Sequence, residues 1–187
     1  MNTEITKAIL KILPFILIIL VIHFRIRQVK INPQDLSLAK PKSLGIFLSW
    51  IIGFLFFILG IEFILNQAGL LELTPWNHDV PTTILRILGA VILAPVAEEL
   101  IFRGILLHVL EKRNLNRHLA IAIQALLFVA LHNFAYQNTL SSNLGIVQSF
   151  VDACLYAYAK YSSKSIYTSI AMHSTGNIIA TLERFLI

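Results

Sequence analysis

The fold of this chain is determined by residues 83–110, which read TILRILGAVILAPVAEELIFRGILLHVL. Two adjacent acids, Glu98 and Glu99, and one base, Arg103, lie in the middle of this otherwise almost wholly apolar run. Ionised groups at bilayer depth are costly, so they persist mainly where they do chemistry, carry ions or pair with each other. These three side chains therefore mark the region in which to look for function.

The composition identifies the solvent of the fold. Hydrophobic residues make up 57% of the chain and charged residues 13%, and the mean hydropathy is +0.76. Soluble domains carry roughly 25% charged residues, so a soluble fold could not cover this much apolar surface. The 187 residues suffice for several membrane spans but not for an additional soluble module. We predict an all-α fold, a polytopic transmembrane helix bundle.

Six apolar stretches are long enough, or nearly so, to cross about 30 Å of hydrocarbon as helices. They are residues 8–24, 44–66, 83–110, 118–136, 144–160 and 165–186. The first has a basic flank at Lys7 but no small-residue cleavage site after it, which favours an uncleaved anchor over a signal peptide. The sequence thus predicts about six spans.

Basic residues in the loops predict the topology. Five Lys or Arg residues lie in 25–43 and none lies in 67–82, which places the first of these loops in the cytoplasm. The net charge of +5 is read as a topology signal, because no basic stripe with interleaved aromatics points to nucleic acid. We expect a multi-pass protein of the bacterial inner membrane, with Glu62 and Arg86 paired near the outer surface.

Helical spacing separates the two adjacent acids. Glu99 and Arg103 are one turn apart on the same face, with the acid N-terminal, whereas Glu98 points about 100° away. Arg103 can therefore neutralise Glu99 and leave Glu98 available. The alternative is that the span ends near Ala97 and that both acids are solvated.

Two other stretches carry polar faces of the same kind. Phe128 and His132 are one turn apart in the fourth stretch, and His173 and Asn177 are one turn apart in the sixth. Each pair alone is explained by packing or by hydrogen bonds between helices. Three such faces, one of which contains the acids, predict a single site in the bundle.

The pattern Glu98-Glu99-x-x-x-Arg103, Phe128-x-x-x-His132 and His173-x-x-x-Asn177 resembles the CPBP family of intramembrane proteases. That family includes the type II CAAX prenyl endopeptidases and the bacterial Abi proteins, many of them bacteriocin self-immunity factors. The resemblance implies two regions: 1–81, with two transmembrane helices and a cytoplasmic loop, and 82–187, a catalytic helical core. The chain departs from the family at Ala153 and Ala157, where glycines are frequent, and at Asp152, where the usual residue is apolar.

Amide hydrolysis needs an activated water, a base and donors for the developing oxyanion. Burial strengthens a carboxylate as a base, so we assign that role to Glu98, with His132 helping to activate the water. The resemblance implies that His173 and Asn177 stabilise the oxyanion. Further structural or substrate-binding roles are expected for Glu99, Arg103 and Phe128. No cofactor is expected; the alternative is a zinc ion held by Glu98, His132 and His173.

The sequence therefore predicts an enzyme, an intramembrane endopeptidase like the CAAX proteases. Its expected partners are the lipid bilayer and a membrane-associated peptide or protein substrate, with bacteriocin self-immunity as one physiological role implied by the resemblance. The alternative is a non-proteolytic membrane partner or chaperone of a signalling or secretion system. A channel or proton-coupled transporter is a third alternative, supported only by the buried acids and histidines.

Overall fold

The computed structural model describes residues 3–28, 30–70, 75–132 and 136–185. Within these ranges the long segments of regular structure are helices, and no strand is present. The predicted all-α class is therefore confirmed for the described residues.

Five consecutive segments build the central helix. They are α3 (Val80–Ile87), the π-helical segment π1 (Leu88–Leu93), α4 (Ala94–Glu99), the π-helical segment π2 (Leu100–Leu106) and α5 (Leu107–Lys112). The residues at their junctions have right-handed helical backbone angles, so the five segments form one continuous rod, here called the 80–112 helix. The other helices are α1 (Thr3–Arg27), α2 (Leu44–Gln67), α6 (Arg117–Ala130), α7 (Leu140–Ser163) and α8 (Ile166–Phe185).

Each predicted apolar stretch lies on one of these helices, but the fourth stretch is too long. The helix α6 ends at Ala130, because residues 131 and 132 turn away from it with hydrogen bonds to Phe128 and Val129. His132 therefore follows the helix instead of lying within it. Residues 133–135, also inside the predicted stretch, lie outside the described part of the chain.

Polar side chains fix where several helices begin. Ser43 accepts a hydrogen bond from the Ile46 backbone at the start of α2, and Asp79 accepts one from Thr82 at the start of α3. Thr139 and Ser142 form a reciprocal pair of such bonds at the start of α7. Each contact satisfies a backbone donor that has no partner inside its helix.

The 80–112 helix lies at the centre of the packing. It contacts α1 along its first half and α6, α7 and α8 along its later segments, while α2 packs mainly on α8. The candidate site residues of the 80–112 helix therefore face other helices.

Two helices, α1 and α2, are long and apolar enough to cross a membrane on their own, within the described residues. Most of their apolar surface is exposed: Leu10 is 61% and Phe63 64% accessible. Such a surface suits contact with lipid instead of burial in a soluble core. The helix α6 has only 14 residues, and α7 and α8 carry more polar side chains because they pack inside the bundle. The structure therefore supports a helical membrane protein in which α1 and α2 are able to span the membrane.

The loop between α1 and α2 folds against the bundle. Leu36 is 1% exposed and packs with Leu100 and Ile166, and a Cβ added to Gly104 would lie 3.4 Å from its side chain. The Ser37 carbonyl accepts a hydrogen bond from the Ile166 backbone at the start of α8. Residues 30–43 thus form a packed cover at the end of the bundle where α8 begins.

The expected pair between Glu62 and Arg86 is wrong. Arg86 Nη2 lies 3.3 Å from Glu4 Oε2, and Glu62 Oε1 accepts a hydrogen bond from Gln148 Nε2 at 3.4 Å. The reason is the helix order: α1, and not α2, packs along α3.

Candidate active site

Pro95 and the π-helical segment π1 leave one backbone carbonyl of the 80–112 helix without a partner in that helix. In the i→i+5 pattern of π1, Ala94 donates its N–H to the Gly89 carbonyl, so the Ala90 carbonyl faces position 95. Pro95 has no N–H to give. Asn177 Nδ2 of α8 donates to the Ala90 carbonyl at 2.7 Å instead. The predicted oxyanion donor is therefore held against the backbone that Pro95 leaves unpaired.

Glu99 is at the centre of a fully buried network. Its Oε1 accepts hydrogen bonds of 2.9 Å from Arg103 Nη1 and from His173 Nδ1. The side chains of Glu99 and Arg103 are both 0% exposed. An ionised carboxylate can only accept, so Nδ1 of His173 carries the proton of its bond. Glu99 thus fixes the orientation of His173 as well as pairing with Arg103.

Glu98 lies beside this network and remains accessible. Its side chain is 18% exposed, and its Oε2 is 3.7 Å from His173 Nε2. Glu98 also interacts electrostatically with His132 and Arg103. The structure therefore gives the two adjacent acids different environments, as their helical directions predicted.

Phe128 connects the remaining polar groups. The His132 Nδ1 donates to the Phe128 carbonyl at 2.8 Å, and the two rings are 4.6 Å apart between centroids. The Phe128 ring also meets the edge of the His173 ring at 5.8 Å, and the Arg103 guanidinium lies 4.7 Å from its centroid. The Phe128 ring thus packs against both histidine rings, and it is also a cation–π partner of Arg103.

Three further residues build the site and were missed by the sequence analysis. The Tyr156 ring stacks on the His173 ring, with 5.0 Å between the centroids and 16° between the planes. Gln124 Nε2 donates to the Ala153 carbonyl at 3.1 Å, and Arg103 Nη2 donates to the same oxygen. Lys160 Nζ donates to the Arg103 carbonyl at 2.7 Å. The available signal was that Gln124 and Lys160 are polar residues in apolar stretches. Their contacts cross between helices, so helical spacing could not identify the partners.

The departures from the family pattern lie on α7. Ala153 and Ala157 are both 0% exposed, so these positions accept only small side chains where α7 packs on its neighbours. Asp152 interacts electrostatically with Glu62 and Arg103, and its Oδ1 is buried without a hydrogen bond among the described residues. Asp152 therefore lies between α2 and the site.

The zinc alternative requires three donors at one point. Among the described residues, no group of three His, Cys, Asp or Glu side chains is arranged to hold a metal ion. His173 uses Nδ1 for Glu99, and His132 uses Nδ1 for Phe128. Nδ1 of each histidine is therefore already engaged by the protein.

The arrangement places a partly accessible carboxylate, Glu98, beside a buried ion pair, Glu99–Arg103. Glu98 is the accessible one of the two adjacent acids. Both histidines are anchored through Nδ1, His173 to Glu99 and His132 to the Phe128 carbonyl. Such anchoring fixes the orientation of both imidazole rings.

Comparison with known proteins supports this description. Residues 80–179, slightly more than half of the chain, match the family described as "Type II CAAX prenyl endopeptidase Rce1-like". A protein of Escherichia coli, described as "Uncharacterized 24.3 kDa protein", is 29% identical over 140 residues, which cover 71% of this chain and 62% of that protein. The match therefore spans less than two thirds of this relative. No solved structure is significantly similar to the chain.

Proposed function

The chain belongs to the Rce1-like family of type II CAAX prenyl endopeptidases, and from this premise we propose that it is an intramembrane endopeptidase of the glutamate type. The observation that carries the proposal is the division between the two acids. Glu99 is fully buried and paired with Arg103, whereas Glu98 is accessible and lies 3.7 Å from His173. One carboxylate is structural, and the other is available as a base.

Glu98 takes a proton from the attacking water, and His132 helps to hold that water. Glu98 and His132 interact electrostatically, and the His132 ring packs on Phe128 with 4.6 Å between the ring centroids. A base positioned in this way contributes typically 10²- to 10⁴-fold to the rate. The proton taken by Glu98 then passes to the leaving amine, which completes the hydrolysis.

His173, in the form protonated on both ring nitrogens, and Asn177 donate to the oxygen of the tetrahedral intermediate. The bond from Nδ1 to Glu99 directs Nε2 of His173 toward Glu98 and the reacting atoms. The Asn177 amide has two hydrogens, and one of them is used by the Ala90 carbonyl. The second hydrogen is the donor that we assign to the oxyanion.

We propose a membrane-associated peptide or protein as the substrate. The site lies among helices whose outer surfaces are apolar, so a substrate reaches it from the membrane or its surface. A six-span arrangement in a bacterial inner membrane and a role in bacteriocin self-immunity complete the proposal. The genomic neighbourhood of the gene tests the last point, since an immunity factor is expected beside a bacteriocin cluster.

The test of the enzyme is Glu98→Gln, which keeps the size of the side chain and removes the base. New peptide termini are compared by mass spectrometry in membranes from cells that carry the wild type or the variant. We expect termini that appear only with the wild type, and a loss of cleavage by at least about 10²-fold in the variant. The matched control is Glu62→Gln, which changes an acid of α2 outside the site.

The competing function is a membrane partner or chaperone, which needs no base. If Glu98→Gln preserved the cellular phenotype and both strains showed the same termini, the enzyme would be excluded. Chelation separates the zinc alternative: a zinc enzyme loses activity on metal removal and regains it on addition. The glutamate mechanism predicts unchanged cleavage in the presence of the chelator.

A further inference from the structure

A cavity of about 500 Å³ lies between α1 and α8, with π1 and the start of α4 at its base. We call it the α1–α8 cavity. Its apolar wall includes Ile12 and Phe15 of α1, and its base consists of small residues such as Gly89 and Ala90. Asn177 of α8 also lines the cavity. The cavity and the candidate active site therefore share this residue.

Three helices each contribute one cation to this cavity. Lys11 comes from α1, Arg86 from α3 and Arg184 from α8, and none of the described residues that line it is acidic. Glu4 outside the lining lies 3.3 Å from Arg86, but it is also bonded to Lys7. Among the described residues, the lining of the cavity therefore carries a positive charge, which favours an anionic occupant.

Two buried donors at the cavity lack an acceptor within the part of the chain that the structure describes. Trp76 Nε1 and Arg86 Nε are inaccessible and have no hydrogen-bond partner among the described residues. Buried donors in native proteins are nearly always paired. A ligand with several acceptor oxygens at this place would supply partners for the cations and for these groups.

The cations lie toward one end of the bundle, where we expect a bilayer surface. The cavity is at the end of the bundle where α1 begins and α8 ends, and the Trp76 backbone N–H donates to the Arg184 carbonyl there. Arg86 is six residues, or about 9 Å, into its helix. Tryptophan and basic residues are typical of this interface, where lipid phosphates are found.

We propose that the α1–α8 cavity binds the phosphate group of an anionic phospholipid. Lys11 and Arg184 contact the phosphate oxygens at the rim, and the acyl chains follow the apolar surface of α1. Basic pockets between membrane helices bind anionic headgroups by the same chemistry. The proposal needs no catalytic step, so it stands apart from the proposed protease activity.

The experiment uses the full chain in a non-ionic detergent. Native mass spectrometry measures the binding of phosphatidylglycerol and of phosphatidylcholine, and thermal unfolding reports the stabilisation that each lipid gives. We expect preferential binding of phosphatidylglycerol. In the double variant Lys11→Gln/Arg184→Gln this affinity should fall by about tenfold or more, since each basic residue near a membrane surface contributes several-fold.

The matched control is Lys112→Gln/Arg113→Gln, which removes two exposed charges at the opposite end of the bundle. It should bind phosphatidylglycerol like the wild type, and an equal loss in both double variants would overturn the proposal. Ala180→Phe fills the cavity without changing a charge. A folded Ala180→Phe protein that retains full lipid affinity would also overturn it, and this variant decides the case if the charge variant fails to fold.

Inorganic phosphate at millimolar concentration tests the source of the phosphate. We expect no stabilisation by phosphate alone and no displacement of the lipid. If free phosphate stabilised the protein and displaced phosphatidylglycerol, the site would be one for the ion and not for a lipid. Binding of a peptide carboxylate in competition with the lipid would assign the cavity to the substrate instead.

Discussion

Arg103 is a large side chain with no solvent-accessible surface, and its contacts come from its own helix and from α6 and α7. It donates to Glu99 at 2.9 Å and to the Ala153 carbonyl at 3.1 Å, and its guanidinium lies near the rings of Phe128 and Tyr156. The charge is therefore compensated by a carboxylate, a carbonyl and two aromatic faces. Removing it would leave the buried Glu99 carboxylate without its counter-charge, because the remaining bond of Glu99 comes from His173.

We predict that Arg103→Ala strongly destabilises the fold. Loss of one partner of a buried pair leaves an uncompensated charge, at a cost of about 3–5 kcal/mol. The measurement is the yield of folded protein and its melting temperature in detergent. The control is Arg113→Ala, an exposed residue one position after α5, which should behave like the wild type. A well-folded Arg103→Ala protein with an unchanged melting temperature would contradict this role.

Contacts within one helix could be predicted from the sequence, but contacts between helices could not. The Glu99–Arg103 pair follows from i, i+4 spacing, and the structure confirms it. The bond between Glu99 and His173 joins residues 74 positions apart, and the Tyr156 stack on His173 depends on how α7 meets α8. Spacing along one helix contains no information about these distances. The sequence therefore identified polar faces that meet, without the hydrogen bonds between them.

The contact between Asn177 and π1 supports the backbone of that segment, and Pro95 allows this role to be separated from the catalytic role that we propose for Asn177. Pro95→Ala gives position 95 an N–H that can donate to the Ala90 carbonyl. Asn177→Ala should then destabilise the protein less in the Pro95→Ala background than in the wild type. The measurement is a double-mutant cycle of melting temperatures. Equal stability costs in both backgrounds would contradict the backbone role.

The same cycle reports the chemistry of Asn177. Loss of one oxyanion donor costs on the order of 10²-fold in rate. We expect Asn177→Ala to lower cleavage by about this factor in both backgrounds, since Pro95→Ala restores only the backbone bond. A cleavage rate that recovers together with the stability would show that Asn177 acts on the backbone alone.

Lys160 supports the second π-helical segment. Its Nζ donates to the Arg103 carbonyl inside π2, and the residue is 4% exposed. Lys160→Met keeps the apolar stem but removes the donor, so we expect a loss of about 1–3 kcal/mol. The measurement is thermal unfolding. Lys164→Met, at the exposed end of α7, is the matched control and should be neutral. Equal melting temperatures for Lys160→Met and the wild type would contradict the contact.

The π-helical segments could not be predicted from hydrophobic periodicity. Pro95 indicated a disturbance near the acids, but a proline is compatible with a kink, a helix end or a π turn. Donors on other helices, here Asn177 and Lys160, decide which of these three structures is adopted. The local sequence therefore indicated the position of the irregularity and the tertiary contacts determined its type.

The topology of the whole molecule is tested by cysteine labelling. Gln34 lies in the cover formed by 30–43, and Asn77 lies at the opposite end of the bundle; both are exposed. In a Cys154→Ser background, Gln34→Cys should react with an impermeant reagent only after the cells are opened, because the five basic residues of 25–43 favour the cytoplasm. Asn77→Cys should react in intact cells. The reverse pattern would invert the topology.

Composition predicted the class of the molecule, since a chain with 57% hydrophobic residues can bury its surface only in lipid. It did not predict the packed cover, because residues 30–43 are polar enough to be a solvated loop and contain only a few apolar anchors such as Leu36. The α1–α8 cavity was likewise invisible, as it arises from the separation of two helices. Volumes between elements follow from packing angles, which periodicity does not determine.

The two π-helical segments also determine how tolerance to substitution should vary along 80–112. An i→i+5 turn holds one more residue than an α-helical turn, so each segment rotates the faces of the following residues by roughly 100°. A saturation mutagenesis profile should therefore show a helical period whose phase shifts twice, once across 88–93 and once across 100–106. Deleting a single residue within either segment would restore an uninterrupted phase and turn Glu98 or Arg103 toward the wrong neighbour. The two π-helical segments thus determine which residues of this helix face each neighbouring helix.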